Sequence, residues 1–460
     1  MSCAPYISPE ASPAEMRILA NRILSCHCKG GDHSDEIHAK FIGVSLSYEG
    51  VMPRPVARQS QTPRRITILF FDAGGGHRNA CEALKTVLQE NDWDLHLLNV
   101  QELLDSIDFV RGLTGLRIQD GYNLILRKGW TRLSPPLLRI LQRVIRMRHK
   151  RILKMFCNYW LLHPTDLVLS VIPHFNRAIA ESIKAVMPEV PFVTLLTDFA
   201  DYPPHFWMEP QSEYLICGTE QAHKQALEMG HTPDRIFDVS GMILKPKFYQ
   251  KPEVDRVAER VKLGLSPEVP TGVVLFGGHG SPAMVEIAKR LDESETPVQL
   301  IMLCGHSQTV LRDLKALNLK KKILVEGFTT NVDYYMALSD FLIGKPGPGS
   351  ISEALQYHLP VIVERNAATM PQEHYNTVWL EEQRMGIVLS SFREIASGIE
   401  KLLAPETFAE FRRNAEKYSN RALFEVPEIL QTIWETKRGY PAAFPTSVEE
   451  PERISPPALS

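Results

Sequence analysis

Apolar residues along this chain come in short runs that alternate with amphipathic stretches, and the whole alternation occurs twice. Residues 66–71 form a β-branched-rich run that ends at Gly74, Gly75 and Gly76, after which Ala80, Leu84, Val87 and Leu88 recur at helical spacing. That pattern predicts a strand, a tight loop and a helix. Further strands are expected at 95–100, 167–172, 192–196 and 214–217, with helices at 177–186 and 220–229 between them. After a proline-bearing stretch from Lys245 to Pro252 the alternation restarts, with strands expected at 273–276, 300–303, 323–325, 341–343 and 361–363. Helical runs at 392–403 and 408–418 follow. Strands that alternate with helices build parallel sheets covered on both faces, so the expected class is α/β with two sheets.

A length of 460 residues exceeds what one core usually supports and agrees with that division. The expected organisation is a disordered tail over 1–63, a first domain over 64–245, a linker over 246–253, a second domain over 254–395, closing helices over 396–437 and a second tail over 438–460.

Composition removes several functional classes. A formal net charge of −3 with 23% charged residues offers no global excess for nucleic acid, which is not expected as a partner. The seven cysteines are odd in number and scattered, which suits a reducing compartment better than a disulfide framework. Apolar runs are too short to span a bilayer, so any membrane contact is expected to be peripheral. Cys26, His27, Cys28, His33 and His38 match no standard zinc spacing, and Asp92-Trp93-Asp94 reads as a solvated turn before a strand. No metal site is expected.

Local charge tells more. Between Asp120 and Asp166 the chain has no acidic residue while Arg and Lys recur. A helix from Leu137 would carry Arg139, Arg143, Arg146, Lys150 and Lys154 on one face, with Leu137, Leu141, Val144, Ile145 and Ile152 on the other. Such a helix suits the interface of an anionic membrane; the alternative is a solvated basic face whose apolar side packs on the first sheet.

Two glycine-bearing loops follow predicted strands of the second domain, at the strand ends where open parallel sheets bind ligands. In Gly277-Gly278-His279-Gly280-Ser281-Pro282 the glycines allow close approach of a phosphate to backbone N–H groups at a helix start, although Ser281 and Pro282 could equally be a plain helix cap. In Lys345-Pro346-Gly347-Pro348-Gly349-Ser350 with Glu353, the carboxylate could accept both hydroxyls of a ribose, or Ser350 and Glu353 could form a capping box. The dinucleotide fingerprint and the Walker lysine pattern are both missing, which disfavours nicotinamide redox chemistry and ATP hydrolysis.

The motifs Asp72-Ala73-Gly74-Gly75-Gly76-His77-Arg78, Leu196-Thr197-Asp198, Gly327-Phe328, Lys345-Pro346-Gly347-Pro348-Gly349 and Pro371-Gln372-Glu373 with Asn376 stand in an order that resembles the monogalactosyldiacylglycerol synthases. The resemblance runs from about Arg65 to Leu403. It implies a GT-B architecture, two Rossmann-like domains facing across a cleft, with the acceptor on the first and a UDP-sugar on the second. The implied reaction moves a hexose, galactose favoured over glucose, from UDP-hexose to diacylglycerol with inversion and without a metal or other cofactor. The setting would be the cytoplasmic, inner face of a membrane, with anionic lipids as partners. Competing readings are a UDP-sugar 2-epimerase, a peptidoglycan-type N-acetylglucosaminyltransferase, and a silent lipid- or nucleotide-binding protein.

By position, the resemblance gives the diphosphate to Gly277 and Gly278, the uracil to Phe328, the ribose to Glu353 and the hexose hydroxyls to Gln372 and Glu373. Lys345, Pro348, Gly349, Ser350 and Asn376 complete the donor set, and Gly74, Gly75, Gly76 and Arg78 the acceptor or phosphate loop. His77 becomes the base, kept neutral by the start of its helix. Asp198, at the end of an apolar strand, either orients His77 or is itself the base. Pro203-Pro204-His205-Phe206-Trp207 departs from the family spacing, which weakens the case for His205.

Overall fold

The structure, a computed structural model, describes residues 64–72, 76–105, 134–210 and 213–436. Gly74, Gly75, the two expected tails and the cysteine–histidine group before residue 40 lie outside the described residues.

The first sheet has strands β1 (Arg64–Phe70), β2 (Trp93–Asn99), β3 (Leu167–Ser170), β4 (Phe192–Leu195), β5 (Tyr214–Cys217) and β6 (Ile236–Asp238). They run parallel in the order β2-β1-β3-β4-β5-β6. Around them lie α1 (Gly76–Gln89), α2 (Val100–Leu104), α3 (Ser134–Met147), α4 (His149–Leu162), α5 (Asn176–Val186) and α6 (Glu220–Glu228). Because side chains alternate along a strand, β1 splits its residues between two cores. Ile66 and Ile68 meet Leu84 and Leu88 of α1. Leu69 faces the other way, toward Phe156 and Trp160 of α4 and Ile179 of α5.

The second sheet has β7 (Thr271–Leu275), β8 (Gln299–Leu303), β9 (Ile323–Glu326), β10 (Phe341–Gly344), β11 (Val361–Glu364) and β12 (Gly386–Leu389), parallel in the order β12-β11-β10-β7-β8-β9. Its helices are α7 (Arg256–Lys262), α8 (Ala283–Asp292), α9 (Gln308–Lys315), α10 (Val332–Ala337), α11 (Pro348–Gln356), α12 (His374–Glu382), α13 (Ile395–Leu403) and α14 (Pro405–Lys417), and α15 (Ala422–Thr436) ends the described chain.

Three features differ from the sequence expectation. The edge strands β6 and β12 were not anticipated: β6 has only three residues, and β12 opens on a glycine with no alternation to mark it. The basic run does not form one helix from Leu137. It divides at Arg148 (φ −98°, ψ 5°), where α4 turns inward to bury Ile152, Phe156 and Trp160 and to donate the Trp160 indole N–H to Ser182 Oγ at 2.9 Å. Lys150 and Lys154 therefore ride on a different helix from Arg139, Arg143 and Arg146. Asp92-Trp93-Asp94 is a solvated turn only at Asp92, which is exposed before β2: Trp93 is 4% exposed at the start of the strand, and Asp94 pairs with Arg65 at 3.0 Å.

The closing helices also divide between domains. α13 and α14 stay with the second sheet, but α15 crosses back and lays Leu423, Val426, Leu430 and Ile433 on the core formed by β1 and α1. The two crossing segments are fastened together. Ser240 donates its N–H and hydroxyl to Glu425 Oε2 at 2.7 and 3.0 Å, and Asn420 Nδ2 donates to the Met242 carbonyl at 2.8 Å. Leu430→Ala removes a fully buried side chain from that core and is expected to cost about 2–5 kcal/mol. Hydrogen exchange should then accelerate in β1 and α1, far away in sequence, ahead of β7 and β10.

Candidate active site

In each sheet the strand order reverses once, between β1 and β3 in the first and between β7 and β10 in the second. Loops leaving such neighbours at their C-terminal ends diverge to opposite faces and open a crevice. The described residues singled out for the donor, and His77 and Asp198, lie on the loops and helix starts at these two crevices.

In the second domain, the loop after β7 turns through Gly277 (φ 72°) and Gly280 (φ 61°). A Cβ on Gly278 would meet nothing within 4 Å, so this backbone is open to approach. Behind it stands Gly305 (φ 57°), whose Cβ would lie 2.3 Å from the Gly278 carbonyl oxygen, and the His306 N–H donates to that same oxygen at 2.8 Å. Gly305 and His306 thus brace the loop, and neither was singled out in the sequence. Phe328 is 58% exposed and stacks on the His306 ring at 4.0 Å, forming an aromatic shelf beside the loop.

From the end of β10, Lys345 lies under both glycine loops and donates from Nζ to Glu373 Oε1 at 3.1 Å. Helix α11 starts at Pro348 with Gly347 in the cap position and no side-chain cap bond. The alternative capping box of Ser350 and Glu353 is therefore not formed, because proline's fixed φ starts the helix ahead of Ser350. Gly349 and Ser350 lie in the first turn, where N–H groups have no partner within the helix. Glu353 is half-buried, makes no hydrogen bond to the described residues, and is pushed up to about 7 by burial, against the pull of Lys247 and Lys245. Lys245 ends the first domain and Lys247 lies in the linker, so the crossing segment supplies positive charge to the donor side.

Asn376 is fully buried and donates from Nδ2 to the Pro346 carbonyl at 2.8 Å. It holds the proline–glycine loop in place, while its Oδ1 is buried without a hydrogen-bond partner. Gln372 and Glu373 are 9% and 8% exposed on the turn before α12, at the same end of the sheet.

In the first domain, β1 leads into α1 and sets His77 in the first helical turn. Its Nδ1 lies 3.1 Å from Thr197 Oγ1, and its ring centroid is 5.8 Å from that of Trp207. Burial lowers His77 to about 4, opposed by a hydrogen bond to the Val171 carbonyl, so the imidazole is neutral near pH 7. The orienting partner is Thr197, not Asp198. Asp198, 7% exposed, accepts the Trp207 indole N–H at 2.9 Å instead. Arg78 is turned toward Asp72 (3.2 Å) and Glu82 (2.9 Å), so its charge is already engaged by carboxylates.

The loop after β4 is built around a residue the sequence reading passed over. Asp201 accepts the His205 and Trp207 backbone N–H groups at 3.0 and 2.6 Å, and Asn176 Nδ2 holds the Trp207 carbonyl at 2.9 Å. His205 itself is a half-buried member of this turn (φ 64°). His174, also missed, follows β3 in a left-handed conformation (φ 71°) and packs edge-on against Phe206 at 4.4 Å. A histidine directly after an apolar run and a proline was the one signal for it.

The two crevices meet. Burial raises Asp198 to about 7 despite the Trp207 hydrogen bond, with Glu373 and Asp201 adding to the rise and Lys345 opposing it. Glu373 and Lys345 belong to the other domain. Phe199 inserts its ring against Trp379 of α12 at 4.7 Å, and Tyr202 stacks on Tyr375 at 6.5 Å.

Comparison with known proteins agrees with this geometry. Residues 273–433 match the family model of the Glycosyltransferase family 28 C-terminal domain. The solved structure of Acinetobacter baumannii MurG has the same fold, with a TM-score of 0.56 at 13% identity over 80% of this chain and 100% of that one. A putative UDP-N-acetylglucosamine 2-epimerase from Listeria monocytogenes shares it too, with a TM-score of 0.52 at 13% identity over 82% of this chain and 98% of that one. With its paired parallel sheets and family 28 match, the chain is a glycosyltransferase of the GT-B fold. It is similar to the monogalactosyldiacylglycerol synthases: with the chloroplastic enzyme of Spinacia oleracea it is 26% identical over 453 residues, spanning 91% of this chain and 83% of that one.

The raised carboxyl of Asp198 gives a pH test. Its ordinary value is 3.8 and its folded value about 7, so the folded state binds the proton more tightly. The stability this contributes is complete below about pH 4 and is lost as pH rises to about 7. Asp198→Asn, which keeps an acceptor for Trp207, should flatten that part of the stability profile in denaturant titrations at successive pH values.

Proposed function

We propose that the chain transfers a hexose, galactose ahead of glucose, from UDP-hexose to the free hydroxyl of diacylglycerol, with inversion at the anomeric carbon. The observation that carries this reading is the meeting of the two crevices, with neutral His77 and buried Asp198 on one side and the Lys345–Glu373 pair on the other. The similarity to galactolipid synthases supports the acceptor.

In this mechanism the hydroxyl oxygen attacks the anomeric carbon while His77 takes its proton. UDP departs with the electron pair of the broken bond. Lys345 and the first-turn N–H groups of α11 then stabilise the negative charge that grows on the diphosphate. Glu353 accepts the ribose hydroxyls, Phe328 offers its ring to the uracil, and Glu373, fixed by Lys345, accepts hexose hydroxyls.

Access to a lipid calls for a surface that meets a bilayer. Among the described residues no helix is long and apolar enough to cross a membrane. Helix α3 exposes Arg139, Arg143 and Arg146 together with Ile140 (59%) and Met147 (70%), while Ile145 packs on the core. Exposed apolar side chains set among arginines suit the headgroup boundary of an anionic leaflet, here the cytoplasmic face.

Purified protein with diacylglycerol in anionic vesicles should yield lipid-linked hexose from UDP-galactose faster than from UDP-glucose. His77→Ala should lower the rate by about 100-fold or more. Lack of product from either donor would remove this reading. Changing Arg139, Arg143 and Arg146 together to Glu should weaken vesicle binding by at least about 100-fold at roughly 1 kcal/mol per basic group. Sedimentation with vesicles checks this, and unchanged binding would remove α3 from the membrane surface.

A further inference from the structure

The first-domain crevice contains an imidazole that the mechanism above does not use. His174 leaves the end of β3, the strand beside β1 at the point where strand order reverses. It adopts φ 71°, a conformation that side-chain-bearing residues rarely take and that glycine takes freely. The conformation is held from both sides. Its backbone N–H donates to the Phe206 carbonyl at 2.7 Å, and its ring packs edge-on against Phe206 at 4.4 Å. Phe206 precedes Trp207, the residue that packs beside His77 and binds Asp198.

The two histidines differ in how their rings are used. The His77 ring already has protein partners in Thr197 Oγ1 and the Val171 carbonyl. The His174 ring nitrogens hydrogen-bond to none of the described residues, although the ring is half-buried and close enough to His77 for that imidazole to oppose its protonation. Backbone strain fixed by two contacts, ending in an imidazole with its polar atoms left open, is the arrangement of a residue held for a ligand.

We propose that His174 is a second imidazole of the acceptor site and donates a hydrogen bond to the hydroxyl oxygen whose proton His77 removes. This rests on the reading that the first-domain crevice receives a hydroxyl acceptor. A hydroxyl has one proton and two lone pairs. With its proton directed to His77 and one lone pair on the His174 N–H, the remaining lone pair is aimed at the anomeric carbon. As that carbon–oxygen bond forms, the bond to UDP breaks, the proton moves to His77, and His174 keeps its own proton. Burial holds His174 at about 3, so one ring nitrogen is a donor and the other an acceptor near pH 7.

The test is His174→Gly in the full-length protein, since glycine accepts the backbone conformation and leaves room for a free imidazole. Hexose transfer to diacylglycerol in vesicles should fall about 100-fold in kcat/KM for the acceptor, with KM for UDP-hexose within twofold. Added imidazole should restore transfer in a concentration-dependent way, which a purely structural role would not allow. Acceptor kcat/KM within threefold of the unchanged protein overturns the proposal. So does a loss that imidazole does not restore and that comes with a raised donor KM and a lowered melting temperature. His77→Ala, measured alongside, keeps the two ideas apart: if it leaves turnover intact while His174→Gly abolishes it, the base assignment falls and His174 stands. If a different hydroxyl compound proves to be the acceptor, the same comparison on that compound reads the same way.

Discussion

The Asp201 carboxylate closes the turn from Asp198 to Trp207 by accepting two backbone N–H groups, and the geometry of the cleft hangs on that turn. It fixes the indole that packs beside His77 and binds Asp198, and it presents Phe199 to the other domain. Asp201 is 2% exposed, so its charge would be costly without those donors; burial still raises it to about 6. A short polar knot in an apolar setting thereby sets the position of three chemically distinct groups.

That turn also joins the domains mechanically. Phe199 belongs in space to the core of the second domain, among Met336, Leu338 and Leu380. Trp379, against which it packs, lies on α12, under two turns beyond Glu373. A shift of α12 on binding a donor would be transmitted to the residues flanking Asp198 through packed rings, which resist compression. The chemistry of one domain and the binding of the other are thus connected through side chains that do neither.

Much of this was readable from the sequence wherever the pattern is local. Apolar runs such as 167–172 and 341–343 mark central strands because burial on both faces leaves no polar position to blur them. Glycines in the loop after β7 announce a phosphate-sized opening because only they tolerate its backbone. What escaped was non-local. Gly305 matters because a separate loop presses on Gly278, and His174 because strand order sets β3 beside β1. The pairing of Ser350 with Glu353 looked like a cap, yet Pro348 had already begun the helix. Asn376 shares a motif with Glu373, and only its full burial shows that it serves the loop.

The return of α15 has a consequence for how the chain is laid out. Arg64, the first described residue, hydrogen-bonds Gln431 and sets its guanidinium 4.1 Å from the Trp434 ring, so the beginning and end of the described chain lie side by side. The second sheet is therefore an insertion within the first domain, entered after β6 and left before α15. Both ends of the described chain sit at the start of β1, whereas His77 follows its far end. Joining those ends and opening the gene at a surface turn of the second domain would give a circular permutant with every strand pairing intact, and its new termini would lie on the domain that holds the donor loops.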